Sequence, residues 1–294
     1  MTKGDGNEYA LGVPDWWFSH IETEGGQSAV PYKDIILEKR DHIATLTINR
    51  PEKMNAMSLE TRDEVIAALT EVGQDDDVRV LILTGAGDRA FCAGVDVSVM
   101  SSAIAGQAPV LTRRQITYRM GYQVSLFRKL RVPTIAAING VAAGMGVSFI
   151  AACDIRIASE KARFACSWVN RGLVPDGAST FLLPQIIGIE KSLELFYTGD
   201  IINADEALRI GLVGRVVPHG DLMSTATALA EKIGAGPPIP IEMAKYGVYK
   251  GLESDIEGAL DYENYAVKVC TGTEDYKEGV TAFMEKRKAQ FKGR

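Results

Sequence analysis

The 294-residue sequence contains no uninterrupted apolar run of the length, about 18–20 residues, that a membrane helix needs. Its start, MTKGDGNEYALGVPDWW, lacks the apolar stretch of a signal peptide. No Lys/Arg block is present, and 32 Lys+Arg stand against 38 Asp+Glu, a formal net charge of -6. Membrane insertion and non-specific nucleic-acid binding are therefore not expected. The three histidines, His20, His42 and His219, are scattered, and Cys92, Cys153, Cys166 and Cys270 form no CxxC. Clustered zinc ligands are absent, so no metal site is expected. Few bases are available to activate a serine in a Ser/His/Asp triad. Widely spaced cysteines are expected as buried free thiols in a reducing cytoplasm. No GxGxxG follows the first strand, and there is no GxxxxGK[ST], so dinucleotide and P-loop sites are excluded.

What the sequence does have is ordinary globular usage, 46% hydrophobic and 24% charged. Residues 1–31 show no periodicity and are expected to be an extension with a poorly ordered start, docked through the cluster Trp16-Trp17-Phe18. From Tyr32 the pattern is regular. Ile35–Glu38 and Ile43–Ile48 read as paired strands with Arg40-Asp41 at the turn. Ser58 can cap a helix carrying Val65, Ile66, Leu69 and Val72. Val78–Thr84 is apolar throughout, as in a sheet covered on both faces. A long helix is expected over Thr112–Leu130, then a strand at Thr134–Ile138, a helix at Gly144–Ala152 and a strand at Ile155–Ala158. This alternation gives an α/β core over 32–218. After Val217 the strands stop. Helices are expected at Leu222–Ile233, Ile241–Leu252, Asp255–Val269 and Asp275–Phe291, so residues 219–294 form a helical region whose apolar faces need a partner.

Two glycine-containing turns follow apolar strands: Ala90-Phe91-Cys92-Ala93-Gly94-Val95-Asp96 and Asn139-Gly140-Val141-Ala142-Ala143-Gly144-Met145-Gly146. Small residues let backbone approach a ligand, and a helix N-terminus offers free N–H groups. Two such turns can converge on one carbonyl oxygen. Packing glycines are the plainer alternative.

The motifs also have a familiar order. Asn-Arg-Pro-Glu-Lys-Met-Asn-Ala (49–56) is followed by Phe-Cys-Ala-Gly-Val-Asp (91–96), Pro-Thr-Ile-Ala-Ala-Ile-Asn-Gly (133–140), Cys-Asp-Ile-Arg-Ile-Ala (153–158) and Gly-Leu-Val-Pro-Asp-Gly (172–177). Over residues 33–294 the chain resembles the crotonase superfamily of enoyl-CoA hydratases and isomerases. The resemblance implies an α/β fold of repeated ββα units and a C-terminal helical trimerisation region. Homotrimers or dimers of trimers are implied with it. The implied substrate is an acyl-CoA thioester, with coenzyme A as part of the substrate and no covalently bound cofactor. An oxyanion hole falls by motif position on the backbone amides of Val95 and Met145.

The chain departs from the hydratase pattern. The two glutamates that position water in hydratases fall at Ser148 and Trp168. A different carboxylate, Asp176, lies where ring-forming or ring-opening isomerases and aromatic-acyl-CoA dehalogenases place a catalytic aspartate; the dehalogenases also carry a Trp eight residues before it. Asp176 is therefore the candidate acid/base or nucleophile, with a plain helix N-cap as the alternative. The expected isomerase chemistry is proton removal from C2 of a 3-enoyl-CoA and return at C4, with Trp168 and Leu173 desolvating the Asp176 carboxylate. Hydratase-like lyase, acyl-CoA hydrolase or dehalogenase chemistry, and an inactive acyl-CoA-binding protein, are the alternatives. Ser148, Trp168 and Tyr118 are candidates for the substrate pocket. By resemblance, Lys53, Met54, Ala56 and Asp96 lie beside CoA, and Phe283 and Lys286 reach CoA on an adjacent subunit.

Overall fold

Two residues, Asp41 and His42, turn the first hairpin, and both have positive φ, 49° and 67°. That backbone matches the twist of the flanking strands. It pairs β1 (Ile35–Arg40) with β2 (Ile43–Ile48) in register, Arg40 opposite Ile43. The computed structural model describes residues 32–105 and 121–294. The 1–31 extension, Tyr118 and the first nine residues of the helix expected over Thr112–Leu130 lie outside the described residues.

Ser58 closes a capping box with Thr61 and starts α1 (Leu59–Gln74). Next come β3 (Val80–Gly85), β4 (Ala90–Cys92) and α2 (Val97–Ile104). Further along, α3 (Tyr122–Lys129) leads into β5 (Thr134–Ile138), β6 (Val141–Ala143) and α4 (Met145–Ala152). They are followed by β7 (Ile155–Ser159), β8 (Arg163–Ala165), α5 (Ser179–Ile187) and α6 (Ile189–Thr198). The core ends with β9 (Ile201–Asn203), α7 (Ala204–Arg209) and β10 (Arg215–Val217). Four helices complete the chain: α8 (Leu222–Gly234), α9 (Pro238–Gly251), α10 (Ile256–Thr271) and α11 (Glu274–Met284).

The larger sheet has the order β1-β2-β3-β5-β7-β10, and every neighbouring pair after the first hairpin is parallel. Its central strands β3 and β5 are buried throughout because both faces are covered. Val80 and Ile82 pack with Leu222, Ala226 and Ala230 of α8, while Leu81 and Leu83 join Val65, Leu69, Phe127 and Phe149 on the other side. A second, smaller sheet, β4-β6-β8-β9, is built from three-residue strands, with β4, β6 and β8 parallel.

One expected helix is shorter than its sequence pattern. The pattern of 275–291 continues, but α11 stops at Met284 and Lys286 adopts φ 55°. The tail folds back because Asp275 accepts hydrogen bonds from the amides of Lys292 (2.7 Å) and Gly293 (2.8 Å), and Glu278 from that of Gln290 (2.8 Å). All four cysteines are free thiols, three of them buried. No described helix is long and apolar enough to cross a membrane.

Candidate active site

Strands β4 and β6 are adjacent and parallel, so the turns that follow them leave the small sheet at the same edge. The two turns touch through glycine. A Cβ on Gly94, whose φ is 99°, would lie 3.0 Å from Ala143 O and 3.8 Å from Met145 N. A Cβ on Gly146, in the first turn of α4, would overlap Cys92 O. Gly144 N donates to Ala165 O (3.0 Å), and Gly144 O accepts from Val147 and Ser148. Met57 N donates to Gly94 O (2.8 Å) and Asp96 N to Met57 O (2.9 Å), which turns the Val95 amide away from that bridge. Among the hydrogen bonds of the described residues, neither the Val95 nor the Met145 amide has a carbonyl acceptor. Among the described residues, two backbone donors thus lie at one edge without a carbonyl partner, the second at a helix N-terminus, a combination suited to a developing oxyanion.

Asp176 stands on a turn held against that same helix. Gly177 and Ala178 both have positive φ, 58° and 60°. A Cβ on Gly177 would fall 2.7 Å from Ser148 Oγ and 3.2 Å from Met145 Sδ, so the backbone of the turn rests directly on α4. Ser148 is fully buried, and its hydroxyl bonds Ser179 Oγ (2.8 Å) and Asp176 O (3.3 Å). Rather than opening onto a pocket, Ser148 pins the Asp176 turn.

The N-cap alternative is corrected by the structure. Ala178, not Asp176, is the N-cap of α5, and no side chain caps that end. The Asp176 carboxylate instead accepts a 2.8 Å hydrogen bond from Trp168 Nε1, which spans the eight-residue interval. The Trp168 ring is buried and packs edge-on against Phe196, centroids 6.1 Å apart, so the donor is held in place. The expected cover from Leu173 is absent, since Leu173 is 52% exposed. Trp168 therefore orients the carboxylate as a donor, and Leu173 does not shield it.

The strip expected beside CoA is stitched to the first turn. Lys53 closes a short 3-10 turn and is exposed, while Met54 and Asn55 take left-handed φ of 54° and 55°. Ala93 N donates to Met54 O (3.0 Å), and Asn55 Nδ2 to Ala86 O (3.0 Å) and Ala90 O (2.7 Å). Ala56 is buried. Asp96, expected as a CoA contact, is buried instead and fully engaged, accepting from Ser98 N (2.9 Å), Ser98 Oγ (2.8 Å) and Arg50 Nη2 (3.0 Å). The Ser98 amide first, and then the Ser98 hydroxyl and Arg50, hold the Asp96 carboxyl below its usual value despite burial. Phe283 and Lys286, at the end of α11 and just after it, are both exposed.

Sequence reasoning missed the side chains that brace the site. Asn139 Nδ2 donates to Gly87 O (2.6 Å) and Ala90 O (3.1 Å), and Asn139 Oδ1 accepts from Gly85 N (3.3 Å). It lies in a quoted motif, but its partners are about 50 residues away, beyond any local pattern. Cys92, buried beside Gly94, has its thiol pushed up to about 12 by desolvation, so it is not a thiolate nucleophile. Among the described residues no cluster of His, Cys, Asp and Glu could hold a metal.

The fold and this paired turn define an acyl-CoA enzyme of the crotonase type. Residues 38–294 match the enoyl-CoA hydratase/isomerase family, and the chain belongs to it. It is 40% identical to the crotonyl-CoA hydratase of Syntrophomonas wolfei over 261 residues, 88% of this chain and 98% of that protein. Identity is 39% to the short-chain-enoyl-CoA hydratase of Clostridium acetobutylicum (89% and 98% covered) and 34% to the 1,2-epoxyphenylacetyl-CoA isomerase of Escherichia coli (86% and 95% covered). The crystal structure of the enoyl-CoA hydratase from Bacillus anthracis superposes with a TM-score of 0.80 at 35% identity, covering 89% of this chain and all of that one.

Proposed function

We propose that this enzyme moves the double bond of an enoyl-CoA thioester, with Asp176 as the single acid/base. The observation that carries this reading is the Asp176 carboxylate, which has no capping duty, is oriented by Trp168 and sits on a turn pinned to α4. Ser148 and Trp168 stand where the resemblance puts the two water-positioning glutamates, and neither is a base near neutral pH. Asp176 takes a proton from C2 of a 3-enoyl-CoA. The negative charge moves onto the thioester oxygen, which the Val95 and Met145 amides receive. The same carboxylic acid returns the proton at C4, giving the 2-enoyl-CoA. One base serves both carbons because they share one side of a planar dienolate. An oxyanion donor of this kind is worth about 2.7–4 kcal/mol in the transition state.

Coenzyme A enters as part of the substrate, and no bound cofactor is required. The Lys53–Ala56 strip holds it from its own chain, and Phe283 and Lys286 from a neighbouring copy in a trimer or pair of trimers. The enzyme works in the cytoplasm. A second reading, water addition with Asp176 as the base, is favoured by the names of the relatives above, two of which are hydratases. Parallel assays on a 3-enoyl-CoA and on crotonyl-CoA decide between them. Isomerisation faster than hydration, and lowered roughly 10²- to 10⁴-fold in Asp176→Asn, is the expected result. Hydration without isomerisation overturns the first reading, and binding of CoA esters with neither reaction overturns both.

A further inference from the structure

The Arg50 guanidinium reaches three acceptors at once. Its Nε lies 3.3 Å from Asp34 Oδ2 and its Nη2 3.0 Å from Asp96 Oδ2, while Nη1 donates to the carbonyl of Ala56. All three side chains are largely buried, at 14% exposure for Arg50 and 11% for each aspartate. Asp34 is also anchored from α1, accepting from Thr61 Oγ1 (2.6 Å) and Ser58 Oγ (3.4 Å). Asp96 follows Val95 directly, and its carboxylate folds back onto the Ser98 amide. The Val95 peptide is therefore fixed on one side by the backbone bridge to Met57 and on the other by an ion pair.

We propose that Arg50 is a positioning residue for the oxyanion hole, setting the direction of the Val95 N–H through Asp96. The inference rests on the reading of the Val95 and Met145 amides as that hole. The planar fork suits the task because it binds a carboxylate and a carbonyl in fixed directions, which a lysine cannot reproduce. The Lys53–Ala56 strip has separate anchors in Asn55 and in the Ala93-to-Met54 bond, so loss of Arg50 loosens the oxyanion turn more than the strip. Its effect falls on polarisation of the thioester and less on affinity for CoA.

The test uses cinnamoyl-CoA, a conjugated thioester whose absorption moves to longer wavelength when its carbonyl is polarised. The wild-type protein is expected to shift the band. Arg50→Gln and Asp96→Asn are expected to lose at least half of the shift and to lower kcat on the order of 10- to 100-fold, with the dissociation constant of cinnamoyl-CoA kept within about threefold. Arg50→Lys recovers part of the loss. Asp34→Asn, which leaves the Arg50–Asp96 pair in place, keeps the shift although it melts earlier. An undiminished shift in both Arg50→Gln and Asp96→Asn overturns the proposal. So does a loss of affinity as large as the loss of shift. A wild-type protein that binds the ester with no shift overturns the oxyanion reading itself, and that result is told apart because no variant then differs from wild type.

Discussion

Asp176 and Trp168 act as a pair, and the pair predicts unequal effects. Asp176→Asn keeps the shape of the carboxylate and an acceptor for the indole, but it removes the proton acceptor. Turnover is expected to fall roughly 10²- to 10⁴-fold, with the melting temperature nearly unchanged. Trp168→Phe keeps the packing on Phe196 and removes only the 2.8 Å donor. It is expected to lower kcat by about tenfold or less, because the carboxylate remains but is less well aimed. Steady-state kinetics beside thermal melts check both. A variant of Asp176 with full turnover on the true substrate would remove it from the mechanism. The position of Asp176 was legible in the sequence because a local motif carries it. Its release from capping was not, since the cap is decided by the backbone of Gly177 and Ala178, and Ala178 carries no side-chain signal.

At the scale of elements, the small sheet and α4 form one unit whose tolerance is set by backbone contact. Gly146→Ala forces a Cβ into Cys92 O, and neither atom is the end of a flexible side chain. The substitution is expected to cost about 1–3 kcal/mol and to separate the two turns, so activity falls more than stability. Equilibrium unfolding and kcat measured together test this; unchanged kcat would mean that the turns need not touch. The C-terminal tail makes a separate prediction about acid. Hydrogen bonding by Arg287 first, then by the Gln290 amide, holds the Glu278 carboxyl at about 2, against 4.5 when unpaired. A carboxyl lowered on folding stabilises above its unfolded value and loses that contribution as pH falls through its folded one. The clasp on residues 287–290 is therefore expected to be intact above pH 4.5 and to open between pH 4.5 and about 2. Amide exchange at Gln290 across that range checks it, and Glu278→Gln should show the open behaviour already at neutral pH.

The strands of five or more residues were legible because pattern and length agree, whereas helices such as Ile189–Thr198 and Ala204–Arg209 were not singled out. The covered strand expected at Val78–Thr84 is found at Val80–Gly85. The three-residue strands β4, β6, β8 and β9 were not legible, since three residues carry no period, and they exist through pairing with distant partners. The same holds for Arg50 with Asp96. Each residue looks like part of its own motif, and only the fold brings the motifs together. The overlong expectation for 275–291 has the opposite cause: its helical pattern is real, but Asp275 and Glu278 capture the tail amides that would have continued the helix.

At the scale of the whole molecule, the helical region presents apolar side chains that its own chain leaves exposed: Val248 on α9, Ile256, Leu260 and Val267 on α10, and Phe283 and Met284 on α11. Covering such a surface with further copies of the chain is the assembly proposed above, in which Lys286 of one copy is proposed to reach the CoA of another. Lys286→Glu alone is expected to raise KM for a CoA ester and leave kcat nearly unchanged. The decisive measurement mixes two defective chains. Asp176→Asn lacks the acid/base but keeps Lys286; Lys286→Glu keeps Asp176 but lacks the lysine. If Lys286 serves the site of a neighbour, co-refolded mixtures contain intact sites made from one chain of each kind. At subsaturating substrate they then turn over faster than the sum of the two parents. If Lys286 serves its own chain, every site in the mixture carries one defect, and activity stays at that sum. Dilution of the wild-type protein gives an independent sign, because a site completed by a neighbour loses affinity for CoA as the assembly comes apart.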